Sequence, residues 1–201
     1  MNHMLKLHRV LWVLLVLAIT SCDGSGLPTG CPPVCSGLNL RGRDLRGIDL
    51  SGANLRRSIL RDTLLVNANL AGADLAGANL ARADLVRANL TGANLNGANL
   101  QGAKLMGANL TNADLAGADL TGAILTRVDL TRVRLTAVIL DNARLVGASL
   151  WGVDLSGAQL IGTNLAGARL PGANLAGANL SRVDERQRGA NLAGADLRGI
   201  N

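Results

Sequence analysis

The chain has 201 residues, a net charge of +6 and 48% hydrophobic residues, yet no Phe, no Tyr and only two tryptophans, Trp12 and Trp151. Aromatic side chains normally supply much of a core's bulk, so this core has to be built from aliphatic residues. Both histidines (His3, His8) and all three cysteines (Cys22, Cys31, Cys35) precede residue 36, which strips most of the chain of histidine-based nucleophilic catalysis and soft-ligand metal sites.

Lys6 and Arg9 lead into an unbroken apolar run from Val10 to Ile19. At ~1.5 Å per residue, such a helix spans about half of a ~30 Å hydrocarbon layer, too little to cross it. A basic start, a short apolar run and small residues make a secretory signal. Ile19-Thr20-Ser21-Cys22 then resembles the lipobox of bacterial lipoproteins; the alternative is an ordinary signal peptide with a chance cysteine near its cleavage point. The resemblance implies cleavage before Cys22, lipidation of that cysteine, and a protein anchored in the cell envelope, facing the periplasm or the exterior. Residues 1–21 are therefore read as leader and 22–37 as a Gly, Pro and Ser-rich tether. Within the tether, Cys31-Pro-Pro-Val-Cys35 suits a small disulfide loop outside the cytosol, with free thiols as the alternative.

From Leu40 to Leu180, leucine occupies every fifth position without a miss. Two places earlier Ala dominates, one place earlier Asn or Asp, and two places later Gly, as in Ala73-Asp74-Leu75-Ala76-Gly77. On an α-helix a period of five smears the leucines around the whole surface. On a flat strand it sends alternate leucines to opposite faces. The chain must instead turn once per repeat, with Ala and Leu inward, Asn or Asp outward, and Gly easing the corner. Four right-angled corners close one coil in twenty residues, and coils stack at about 4.8 Å.

This pattern resembles the pentapeptide-repeat proteins, and the resemblance covers residues 38–184 in unbroken register. It implies an all-β fold, a right-handed quadrilateral parallel β-helix, here about seven coils and roughly 35 Å long at the usual interstrand spacing. The β-helix is expected over residues 38–201. Residues twenty apart become stacked neighbours. The column Asn69, Asn89, Asn109, Asp129 is expected to form an amide ladder. The column Asn94, Asp114, Arg134, Asp154, Asn174 alternates in charge, and Asp84 stands beside Lys104. Val128, Val133 and Val138 replace inward Ala at three consecutive positions, which predicts a locally wider coil. Arg43 at an inward position marks the first coil as a cap or frayed. The register breaks at 184–189, predicting a charged loop followed by a partial coil with Ala195, Leu197 and Ile200 inward.

The repeat leaves no reactive cluster, and a non-enzyme without a cofactor or metal is expected. Six arginines (Arg41, Arg43, Arg46, Arg56, Arg57, Arg61) lie at the end nearest the anchor, a candidate patch for anionic headgroups, with a solubilising cap as the alternative. An outward column of Val66, Val86, Met106 and Val146, interrupted by Thr126, forms a mildly apolar stripe, and Trp151 is placed outward. Both are candidate contacts for an envelope protein partner. A homodimer through one end of the rod is compatible with the pattern. Some pentapeptide-repeat proteins imitate duplex DNA and protect DNA gyrase. That alternative needs an acidic surface in the cytoplasm, whereas this chain is basic and carries an export signal. Nucleic-acid binding lacks an aromatic stacking platform.

Overall fold

The computed structural model describes residues 36–181 and 190–196. The leader, Cys22, Cys31, Cys35, the charged stretch 184–189, Leu197 and Ile200 lie outside the described residues.

Each five-residue unit closes with a tight turn in which a leucine carbonyl accepts the N–H three residues on, as from Ala53 to Leu50 (3.1 Å) and from Ala93 to Leu90 (3.0 Å). The third residue of the turn has positive φ at every corner from Gly37 to Gly177 except the one at Arg132. A bonded turn with positive φ at that position is type II, which is why Gly recurs there. Where Gly is replaced, Arg57, Asp62, Asn67, Arg82, Arg87, Asn112, Arg127, Ala137 and Asn142 are driven into the left-handed region. That conformation costs an L residue about 1–2 kcal/mol. Ala137 (φ 54°) has no side-chain group to repay it, so Ala137→Gly is expected to stabilise the protein by about 1 kcal/mol, read as a higher melting temperature. Gly147→Ala should do the reverse, since a Cβ there would also meet Arg127 Cγ at 3.4 Å.

Corners stack into four faces through parallel bridges between residues twenty apart, as in Asn39↔Ile59, Leu64↔Asp84, Asn69↔Asn89 and Asn54↔Asp74. Within a face, Asn94 N–H donates to Ala73 C=O (2.9 Å) and Leu95 N–H donates to Asp114 C=O (2.7 Å). At the corners Gly92 N–H donates to Thr111 C=O (2.9 Å), so the wall is bonded around its edges as well. The result is a right-handed quadrilateral β-helix.

Inside, the every-fifth leucines from Leu55 to Leu170 are all at most 1% exposed, packed against inward Ala. Each contributes about 1.5–3 kcal/mol of gross burial energy. Thr63 and Thr163 replace inward Ala, and their hydroxyls donate to the Leu40 (2.9 Å) and Leu140 (2.7 Å) carbonyls of the preceding coil. At the first coil Arg43 is exposed despite its inward place in the pattern, so no guanidinium is buried there. After Leu180 the wall resumes with bridges Asn164↔Asn191 and Arg169↔Asp196. Their separation is 27 residues, against 20 elsewhere, so this step of the wall takes seven more residues of sequence than the others. Leu192 and Ala195 pack against the end of the core.

Candidate functional site

The six arginines at the first coils are less available than their number suggests. Arg46 forks onto Asp44 (2.8 and 2.6 Å) and Arg56 Nη1 reaches Asp74 (3.1 Å). Asp62 gathers Arg41 (3.7 Å), Arg61 (3.5 Å) and, one coil on, the bidentate fork of Arg82 (2.7 and 2.9 Å). The patch is therefore an interlocked surface of charge pairs, and its net positive potential is lower than the arginine count implies.

The apolar stripe lies along one corner of the rod. Met106 is 38% exposed, whereas Val66, Val86 and Val146 are half-buried. Leu64 (38% exposed) and Ile124 extend it onto the adjoining face. Arg87 and Arg127, two coils apart, flank it. Their stems lie over Gly107 and Gly147 of the following coil, where a Cβ would come within 3.5 and 3.4 Å of the arginine Cγ atoms. Long cationic side chains are thus laid along the rod, with their stems covering backbone.

The third feature is a defect in the wall. Among the described residues, the bridges Asn109↔Asp129 and Arg134↔Asp154 are missing from columns that are otherwise continuous there. The break lies on the two faces carrying Val128 and Val133, which are bulkier than the Ala at most inward positions. At Val138 the ladder is intact, with Gln159 N–H donating to its carbonyl (2.9 Å), so the break covers two faces and not three. Between the two faces is the corner at Arg132, where Asn112 N–H donates to Arg132 C=O (3.0 Å) instead of to the carbonyl of residue 131. A cleft of ≈ 210 Å³ lined by Thr111, Asp129, Thr131 and Arg132 opens there. Trp151, 68% exposed, follows Thr131 in the same corner column. The valines marked the faces where the ladder breaks; the turned corner had no such mark, because arginine occupies four other corners with positive φ.

The expected ladders are realised in part. Asn89 Nδ2 donates to Asn69 Oδ1 (3.0 Å), but the Asn69 column is broken before Asp129. In the charge-alternating column Asn94 donates to Asp74 (3.0 Å), Arg134 pairs with Asp114 (3.6 Å) and Asn174 donates to Asp154 (3.1 Å). Lys104 reaches Asp84 at 3.5 Å. A second role of the outward Asn and Asp is not visible from stacking alone: their Oδ1 atoms accept the backbone N–H two residues on. Ala116 donates in this way to Asp114 (2.9 Å) and Thr121 to Asp119 (2.9 Å), so the side chain braces the next corner.

These bonds set the acidity of the carboxyls. The Arg82 hydrogen bonds hold Asp62 below the usual carboxylate range against the opposing effect of burial, with the charges of Arg82, Arg61 and Arg41 adding to the lowering. The Ser51 hydroxyl and N–H lower Asp49, and the Ser156 N–H and hydroxyl lower Asp154. Burial pushes Asp119 up, but the Thr121 hydroxyl and N–H and the Gln101 amide outweigh it, and its pKa is lowered overall. A carboxyl lowered in the folded state stabilises it fully above the unfolded value, near 4, and the contribution is lost as pH falls through the lowered one. The melting temperature is expected to be flat between about pH 5 and 8 and to drop below about pH 4. Added salt should weaken the effect of the exposed pairs.

Comparison with known proteins places this architecture. The model for pentapeptide repeats matches in eight copies over residues 34–72, 73–112, 103–142, 113–152 and 154–184. The chain belongs to the pentapeptide-repeat family. Two solved structures of trypsin-treated variants of QnrB1, a plasmid-mediated fluoroquinolone resistance protein, are similar at 23% identity. They give TM-scores of 0.64 and 0.63, with 83% of this chain covered and 90% and 87% of theirs. HetL, a pentapeptide-repeat protein involved in heterocyst differentiation regulation from the cyanobacterium Nostoc sp. strain PCC 7120, is 29% identical. The match covers 94% of this chain and 92% of HetL, with a TM-score of 0.33. No curated protein matches the sequence significantly. At 23% identity the two QnrB1 structures show the fold alone.

Proposed function

We propose that this pentapeptide-repeat protein is a non-catalytic scaffold of the cell envelope, tethered by lipid on Cys22 and offering the side of its rod to a protein partner. The observation that carries the reading is how the outward carboxylates are employed. Asp49, Asp74, Asp84, Asp114, Asp119, Asp129 and Asp154 each accept a backbone N–H two residues on. Carboxylates fixed in this way brace corners, whereas acid–base work needs a group aimed at a reacting atom. The interior is aliphatic and packed, which leaves the outer walls as the place where function can be expressed.

The fold likeness to QnrB1 is common to this reading and to a gyrase-protecting one, and does not separate them. The charge does: a DNA mimic requires rows of uncompensated acid, and this chain has 20 basic against 14 acidic residues. Of the outer walls, the stripe through Val66, Val86, Met106 and Val146 supports partner binding, because Leu64 and Ile124 widen it and Arg87 and Arg127 edge it. The first-coil arginines remain a proposed contact for anionic headgroups, weakened by their aspartate pairs.

The test is isolation of the full-length protein from membranes after cross-linking, with Met106→Gln and Val86→Asn variants alongside. A stoichiometric partner that both variants lose is the expected result. A protein that captures none behaves as a passive spacer, which would refute partner binding.

A further inference from the structure

The turned corner is unnecessary to the fold. Arg57, Arg82, Arg87 and Arg127 all make the ordinary corner with positive φ, so the residue type at 132 does not force the departure. In an ordinary corner the middle peptide points its carbonyl at the preceding coil and its N–H at the following one, as Thr111 C=O and Gly92 N–H do (2.9 Å). Without positive φ at Arg132 that peptide is turned over, as in a type I turn. Among the described residues, the bonds from Leu110 N–H to Asp129 C=O, from Asp129 N–H to Ala108 C=O and from Arg132 N–H to Trp151 C=O are then missing, although their counterparts recur along the rod. Backbone donors and acceptors left without coil-to-coil partners are costly unless something else meets them.

The cleft at this point is small beside ordinary ligand pockets of ~300–1,000 Å³, and suits one ring-sized polar molecule. Its lining is mixed: two hydroxyls (Thr111, Thr131), one carboxylate (Asp129) and one guanidinium (Arg132). Asp129 Oδ1 is occupied by Thr131 N–H (3.0 Å), which leaves Oδ2 to face outward partners. The Thr111 hydroxyl donates to Asn109 Oδ1 (2.7 Å) and keeps its lone pairs as acceptors. The carboxylate disfavours an anion and the guanidinium disfavours a cation, so a neutral ligand rich in both donors and acceptors fits. One coil further along the same column stands the exposed indole of Trp151, an apolar plate with a polar edge.

We infer that the turned corner at Leu130–Val133, together with Trp151, is a binding site for a neutral saccharide ring. Its hydroxyls exchange hydrogen bonds with Asp129, Thr131, Arg132 and the released backbone groups, and its C–H face lies on the indole. The inference goes beyond the scaffold reading and does not depend on the lipid anchor.

The experiment uses the full chain with Trp12→Phe, so that Trp151 is the sole fluorophore. It is titrated with the β-1,4 tetramer of N-acetylglucosamine, cellotetraose and maltotetraose. At least one is expected to shift Trp151 emission saturably, with Kd of about 1 mM or tighter. Asp129→Asn and Thr131→Val should each weaken binding by about tenfold or more. Both substitutes have precedent at equivalent positions, Asn89 and Val86, so both variants retain the wild-type melting temperature. Calorimetric titration of Trp151→Ala should show binding lost, and Asn142→Gly, at a different corner, should leave it intact. Absence of a saturable response to all three sugars overturns the proposal, as does binding that survives both the Asp129 and Thr131 substitutions.

Discussion

Replacing Leu95 with alanine is expected to destabilise the protein by about 3–5 kcal/mol, the upper part of the range for buried leucines. Leu95 is fully buried at mid-rod, where coils on both sides contribute to its contacts. The cost of such a cavity depends on how far the surroundings can collapse into it. Here they cannot collapse far, because the wall is held from outside: Leu95 N–H donates to Asp114 C=O (2.7 Å) and Asn94 N–H to Ala73 C=O (2.9 Å). Leu180, half-buried at the end of the unbroken repeat, has fewer neighbours to lose. Leu180→Ala is expected to cost about 1–2 kcal/mol, near the average for a point substitution. Urea midpoints of the two variants give the comparison, with hydrogen exchange to detect local opening, since stacked repeats need not unfold as one unit. Equal losses at Leu95 and Leu180 would show that the leucines do not share one continuous core.

The second large effect concerns the cellular address. Cys22→Ala is expected to move the protein from the membrane pellet to the soluble fraction. A single acyl chain binds a bilayer only marginally, whereas two or more, at about 0.8 kcal/mol per buried CH2, hold firmly. The tether adds Gly, Pro and Ser without an apolar segment able to replace that anchoring. Mass spectrometry of the N-terminal peptide should show a diacylglycerol-modified Cys22 in the wild type. A variant that still sediments with membranes, or an unmodified Cys22, would remove the anchor from the account.

The interior could be read from spacing alone, because a period of five has one physical solution that keeps all leucines together. Leu75 and Ala73 are buried while Asp74 between them faces outward, as the alternation requires. The break in the wall falls on the faces of Val128 and Val133, each of which adds two methyl groups to an inward position that is most often Ala. What the sequence did not disclose is the response of the backbone. The same residue type, arginine, sits at corners with positive φ and at the one without, so composition cannot distinguish them. Pairing of the first-coil arginines was also obscured. Asp62 and Asp74 lie beyond the stretch that counts as basic, yet stacking by twenty returns them to Arg41 and Arg56.

The arginines laid over glycine carry a consequence for how such a chain grows. Among the described residues, every arginine two places after a repeat leucine, Arg57, Arg82, Arg87, Arg127 and Arg132, is followed twenty residues later by glycine: Gly77, Gly102, Gly107, Gly147 and Gly152. Four of those glycines lie under the arginine stem, and the one paired with the turned corner does not. Each bulky cation therefore reserves a vacancy on the storey above. Inserting or deleting a single five-residue unit would keep the leucines inward but shift each tenant whose vacancy lies across the change. Duplication in blocks of twenty preserves both, so lengthening by whole storeys is the route that this surface permits.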